Sequence, residues 1–432
     1  MADAVRTVLR GAKVFDGSGA PVRTADVCFE GDRIVSVEEG SAEAGAAQRF
    51  DLADCCILPG LFQSHFHSGF GHFGSGTQAP MLGLEAPTAL LAMLAVHNAG
   101  TALDAGVTSL IGSSNPDYLD VNLREAILHG YAEGPRIWAG SHELTASGAQ
   151  EDGENRSWFM RLGNHGVVWK LDGADAFRRA TREELGRGCD VIKVALGPGH
   201  GASPAEERCN LTDAELEAVV ETAHDRGRFV RAHAPSKRAI LASVRIGVDI
   251  IDHADRIDAE CIDAVVASGA AVCPTGLWNK RFLEFAENWD TASQGPMPIG
   301  DGFPETPDET ARRIRGVRAD YEHSVEMLPE LVRAGIPLLA GDDFGTPLLP
   351  HGDYVAELET YVKDFGIEAS EVLLFATRNP ARTMRCGDSL GQVAAGFQAD
   401  LLVVEGDPSN DIGALRRVRA VIQSGRVVRG AL

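Results

Sequence analysis

Between about residues 52 and 380 the chain repeats one pattern: a short apolar run, a Gly-rich or polar turn, then an amphipathic stretch. The apolar runs are CCILPGLFQSHFH (55–67), GVTSLIG (106–112), PRIWAGSHEL (135–144), CDVIKVALG (189–197), RFVRAHA (228–234), VDIIDHA (248–254), AAVCPTG (270–276) and IPLLAGDD (336–343). Eight runs separated by helical patterns predict βαβ units and a parallel sheet. Over roughly 330 residues they match an α/β architecture, a (β/α)8 TIM barrel with some long loops. A doubly wound open sheet is the alternative, but no GxGxxG follows the first strand.

The ends read differently. Residues 4–50 and 393–430 hold short alternating strands with turn signals, such as ADVCFEGDRIVSVEEG and VAAGFQADLLVVEGDP. They predict one small β-domain closed by both ends, residues 1–56 and 385–432, with the barrel over 57–384. Segment 277–330, between strands seven and eight, reads as a long insertion with Trp278 and Trp289. Such a length suits a lid or binding loop, and a packing role equally.

Composition narrows the partners. Apolar residues make up 44% of the 432, enough for a large core. Acidic residues outnumber basic ones 62 to 40, for a formal charge of −22, which repels phosphate backbones and anionic headgroups. No nucleic acid and no membrane partner is therefore expected. The first residues lack an apolar signal core, and the eight scattered cysteines show no CxxC, so a disulfide framework or thiolate zinc site is not expected. These features predict a soluble, cytoplasmic protein.

A barrel of this kind places its active site at the C-terminal strand ends. The first run ends Gln63-Ser64-His65-Phe66-His67, and residues i and i+2 of a strand share a face, so both imidazoles can grip one ion. A polar strand end is the alternative. Lys193 lies inside Val-Ile-Lys-Val-Ala-Leu, and lysine is almost never fully buried unless paired. Burial favours the neutral amine, which can capture carbon dioxide as a carbamate able to bridge two cations about 3.5–4 Å apart. Snorkelling from a strand end competes with that reading. Later runs end in His233, His253 and Asp342-Asp343. One of the two aspartates suits a metal and a proton, and the other suits a helix N-cap. A ligand set rich in nitrogen and oxygen and free of thiolates suits zinc, with manganese, cobalt or iron as alternatives.

Arg231, two residues before His233, should share its inward face and could hold a substrate carboxylate, or could cap the barrel interior through an ion pair. His142 and His200, at the ends of strands three and four, and His72, in a Gly-rich loop, are further pocket candidates.

VFDGSGAP, PGLFQSHFH, GVTSL, VIKVAL, the AHA and DHA histidines, AGDD and the trailing TRNPARTM…GQVAAGFQADLLVVEGDP together resemble the amidohydrolase superfamily across nearly the whole chain. The resemblance implies a metal-dependent barrel with a small β-sandwich built from both termini. It implies that His65, His67 and Asp343 hold one divalent metal and His233 and His253 a second, with Lys193 as a bridging N6-carboxylysine. It further implies a metal-activated bridging hydroxide that cleaves an amide C–N bond, with Asp343 moving the proton. The chain looks most like the branch acting on Xaa-Pro dipeptides and N-acyl amino acids. It departs from that branch after strand two, with Leu110-Ile111-Gly112-Ser113-Ser114, and after strand three, with Thr145-Ala146-Ser147-Gly148-Ala149-Gln150. Both loops would shape the pocket. Cleavage of a urea, a carbamate or an aryl amide xenobiotic is the alternative. Deamination fits less well, because Ser236 stands where such enzymes place a Glu and Lys193 is present. A scaffold that lost its chemistry should lack ligands, and all six are present. Partners are then a small-molecule substrate and, by family analogy, further copies in a homo-oligomer.

Overall fold

The computed structural model describes residues 6–40, 48–71, 86–149, 166–200, 208–289, 306–346 and 348–432. His72 lies outside them. Strands from both chain ends meet in one eight-stranded sheet: β1 (Arg6–Val14), β2 (Arg23–Glu30), β3 (Arg33–Glu38), β4 (Gln48–Asp51) and β5 (Cys55–Pro59) join β15 (Leu401–Glu405), β16 (Val418–Gln423) and β17 (Arg426–Gly430). Alternating apolar residues give this sheet its own core of Leu9, Val14, Val27, Phe29, Ile57, Val403 and Ile422.

The first long apolar run is therefore not one strand. Cys55–Pro59 pairs antiparallel with β15, and the chain crosses at Gly60 into β6 (Leu61–Phe66). A Cβ at Gly60 would sit 2.2 Å from Thr108 Oγ1, so only glycine lets the two sheets approach there.

The remaining strands are parallel. β6, β7 (Val107–Gly112) and β8 (Arg136–Trp138) form a three-stranded sheet. A six-stranded sheet runs β10 (Val168–Leu171), β9 (Gly140–Ala146), β11 (Val191–Ala195), β12 (Phe229–His233), β13 (Ile250–Asp252), β14 (Ala271–Cys273). The third apolar run thus breaks at Ala139 into β8 and β9. The eighth run holds only an isolated bridge, Val272 to Leu338, yet it lies between the two sheets. Leu339 N donates to Val272 O at 2.9 Å, and Ser64 N donates to Ala340 O at 2.8 Å. Among the described residues the ladders do not close into the single barrel ladder expected; they form two parallel sheets joined by these contacts.

Helices connect the strands: α1 (Thr88–Asp104), α2 (Leu119–Leu128), α3 (Ala174–Arg187), α4 (Asp213–His224), α5 (Lys237–Ile246), α6 (Ala259–Ser268) and α7 (Gly276–Glu287). They are followed by α8 (Pro307–Arg333), α9 (Tyr354–Lys363), α10 (Ala369–Phe375) and α11 (Arg378–Thr383). The segment expected as an insertion supplies α7 and α8, which pack through Phe282, Leu283, Ala286 and Val317, with Trp289 against them. Among the described residues no helix is long and apolar enough to cross a membrane.

Candidate active site

The C-terminal ends of the parallel strands bring titratable side chains together in a region where they have lost water. His65 and His67 leave β6 on one face, and their Nε2 atoms stand 3.1 Å apart. Asp343 Oδ1 lies 3.0 Å from His65 Nε2 and 3.4 Å from His67 Nε2. Close approach of the eighth segment makes this possible: a Cβ at Gly341 would meet His65 N at 2.3 Å. His67 Nδ1 faces the carbonyl of Ser114 at 2.8 Å, so that nitrogen holds the proton and Nε2 keeps its lone pair. Three donors thus converge as one small cation requires.

A second group forms around Asp343 from His200 and His253, whose ligand atoms come within 4.8 Å of one another. His253 (φ 72°) and Thr275 (φ 50°) both occupy the left-handed region, and they hold each other through Nδ1 and Oγ1 at 2.7 Å. Strained backbone of this kind persists only where its surroundings enforce it. His200 Nδ1 donates to Asp255 Oδ2 at 2.7 Å, and its ring stacks on Trp278 of α7 at 4.8 Å. Its Nε2 is buried without a hydrogen-bond partner and points toward Asp343 Oδ2, 3.8 Å away. An orphaned buried nitrogen beside a carboxylate fits a missing ligand of the site.

His233 packs edge-on against His253 at 4.4 Å. Its Nε2 donates to Pro198 O at 3.1 Å, which leaves Nδ1 as the nitrogen with a free lone pair. The second group as placed holds His200 rather than His233. Lys193 is 2% exposed and its Nζ lies 2.7 Å from Asp252 Oδ2.

Charge in this cluster is set by burial and by neighbours. Burial lowers His65, His233 (to about 4) and His253, the last also through its neighbours His233 and His200, which disfavours the charged form of each. Burial would raise Asp343, but the surrounding imidazoles of His65, His200 and His67 hold it well below the usual carboxylate range. Burial likewise opposes His200, yet Asp255 and Asp343 raise it well above an ordinary imidazole.

Arg231 is not a substrate contact. It is fully buried, and its guanidinium is held by partners inside the protein. Nε donates to Asp252 Oδ2 at 3.0 Å, Nη1 to Ser64 O at 2.8 Å and Gly112 O at 3.0 Å, and Nη2 to Asp252 Oδ1, with His65 Nδ1 3.1 Å from Nη2. Of the two roles open to it, the structure shows the interior ion pair. His142 also leaves the pocket: its Nδ1 meets Glu184 Oε1 of α3 at 2.7 Å, its Nε2 accepts from Asp117 N, and its ring stacks on Trp169. Asp342 is the capping acid, accepting from Leu277 N and Trp278 N at the start of α7. Cys273 comes near His65 and Asp252, but its thiol donates to Gly341 O and burial holds it well above the usual thiol range, protonated.

One acid escaped the sequence reading. Glu143 of β9 pairs in register with Lys193, so the two side chains share a face. Alternation along β9 sends His142 out toward α3 and Glu143 in.

An α/β scaffold with histidines and a carboxylate converging at strand ends defines a class: enzymes that bind metal at the mouth of a parallel sheet. The chain belongs to the amidohydrolase family, whose model matches residues 56–428. Ochratoxinase from Aspergillus niger is 23% identical over 98% of this chain and 87% of its own length. A solved Xaa-Pro dipeptidase with methionine in its active site is 25% identical, with a TM-score of 0.85 over 98% of this chain and all of its own. A prolidase complexed with N-methylphosphonate-L-proline is 26% identical, with a TM-score of 0.82 over 99% of this chain and all of its own.

Proposed function

We propose that this chain is a metal-dependent hydrolase that cleaves an amide C–N bond of a small substrate, a dipeptide or an N-acyl amino acid. The observation that supports it most is the convergence of His65 Nε2, His67 Nε2 and Asp343 Oδ1 within 3.4 Å at the strand ends. The amide-cleaving relatives point the same way. We read the parallel strands as a (β/α)8 barrel in which Pro337–Gly341 is the eighth staff, supported by its hydrogen bonds to both sheets, and the terminal sheet as a separate small β-domain.

His65, His67 and Asp343 would hold one divalent cation, zinc by its donor set. His253, with His233 through Nδ1, would hold a second, with Lys193 as a carbamylated bridge and His200 beside it. Two such ions acidify a water and polarise the scissile carbonyl. The protein's own part is positional. Asp343, held well below the usual carboxylate range, would accept the proton of the attacking water and return it to the leaving nitrogen. Ser114 O and Thr275 Oγ1 fix the His67 and His253 rings. Trp278, stacked on His200, walls one side against water.

Deamination finds no support here, since Ser236 serves as the N-cap of α5, accepting from Ala239 N. The reading places the protein in the cytoplasm, acting on small molecules as a homo-oligomer. Metal analysis of the purified chain tests it: about two equivalents per chain are expected, falling in His67→Ala. A wild-type chain that binds none after incubation with zinc would contradict the proposal.

A further inference from the structure

We infer that Glu143 is a specificity residue that selects substrates bearing a protonated amine close to the scissile bond. The inference rests on the hydrolase reading and sharpens its substrate class. Glu143 shares the inward face with Lys193, and its carboxylate is tied to the site by Ser114, whose hydroxyl donates to Glu143 Oε2 at 3.1 Å while its carbonyl holds His67. It is also an electrostatic neighbour of His233. The carboxylate therefore faces the same space as both histidine groups.

Its chemistry there is incomplete. Lys193, the adjacent amine, is committed to Asp252, and as a carbamate it would carry no positive charge. Arg231, the next, is fully buried and held by Asp252, Ser64 O and Gly112 O. Among the described residues no cation lies in ion-pair distance of Glu143, and only Oε2 accepts a hydrogen bond. Glu143 does not belong to the groups whose donors converge as metal ligands. A half-buried carboxylate with one unused oxygen, facing the site, attracts an ammonium and repels a substrate carboxylate. Between the two substrate classes proposed above, this favours the dipeptide with its free amino group over the N-acyl amino acid.

The test offers amides in matched pairs that differ only in whether one amine, on the acyl or the leaving side, is free or acetylated. Phosphinic isosteres of the same pairs are titrated calorimetrically, so that binding is read without turnover. Wild type should favour one free-amine member by about ten- to hundredfold, the range of a hydrogen-bonded charge, mainly through KM. Glu143→Gln should level each pair to within about twofold with metal content unchanged. Equal or better binding of the acetylated members by wild type would overturn the inference, as would loss of metal in Glu143→Gln. If no amide is hydrolysed but the isosteres keep the preference, the hydrolase reading fails and Glu143 stands. If acetylated amides are hydrolysed as well as free ones, Glu143 falls and the hydrolase stands.

Discussion

Asp343→Asn should lower kcat by about 10²–10⁴-fold, the range lost with a positioned proton acceptor, while KM changes little. The asparagine keeps the shape of the side chain and can still touch His65, but it cannot take a proton and is a poor metal ligand. Both clusters of converging donor atoms meet at this one residue, so metal content should fall with kcat. The neighbouring acid provides the contrast. Asp342 accepts backbone N–H groups at the start of α7 and the backbone N–H of Asp343, and its carboxylate is not among the converging ligand atoms. Asp342→Asn should therefore leave kcat within a few-fold and lower thermal stability instead. Steady-state kinetics and metal analysis on the two variants decide the matter. A reversed pattern would assign the proton transfer to Asp342.

Arg231→Met should destabilise the fold by roughly 3–5 kcal/mol, as removal of one partner from a buried ion pair does. The loss has an identifiable origin. Asp252 would keep Lys193 but lose two charged hydrogen bonds, and the carbonyls of Ser64 and Gly112 would lose their donor. Arg231→Lys should recover only part of this, because an ammonium cannot span four acceptors arranged around a planar fork. The pH dependence follows from Asp252. Burial would raise it, but Arg231 and Lys193 hold it well below the usual carboxylate range. A depressed carboxylate stabilises the fold fully above its unfolded value, near 3.9, and loses that contribution as pH falls toward its folded value. The gap between wild type and Arg231→Met in urea denaturation should thus be constant above about pH 4–5 and shrink in stronger acid. An unchanged stability, with KM raised only for carboxylate substrates, would instead restore a substrate-binding role for Arg231.

Most of the candidate site was legible because strand geometry is simple. His65 and His67 sit two residues apart at a strand end, and His253 and Asp343 close later runs; the structure gathers all four. Arg231 shows where the rule stops. Its direction follows from spacing, since it pairs in register with Lys193. Its depth does not: two residues along a strand is about 6.6 Å, enough to place the guanidinium beneath the site rather than in it. His142 fails on the same alternation, and that alternation points to Glu143 one residue on. His200, a pocket candidate from its place after strand four, does join the second donor group from the turn after β11. The break at Gly60 was hidden because Cys55–Phe66 is apolar or buried throughout, so two strands in different sheets read as one. Closure of the barrel was beyond the sequence for a related reason: the eighth run makes its bonds from an irregular segment, not from a long ladder.

The most direct test of the central claim is hydrolysis of a dipeptide and N-acyl amino acid panel by the purified chain, followed through a cycle of chelation and zinc return. Release of free amine should cease on removal of the metal, return when zinc is restored, and be absent at every stage in His67→Ala. Amide cleavage that survives complete metal removal, or a zinc-loaded protein that cleaves none of the panel, would contradict the account.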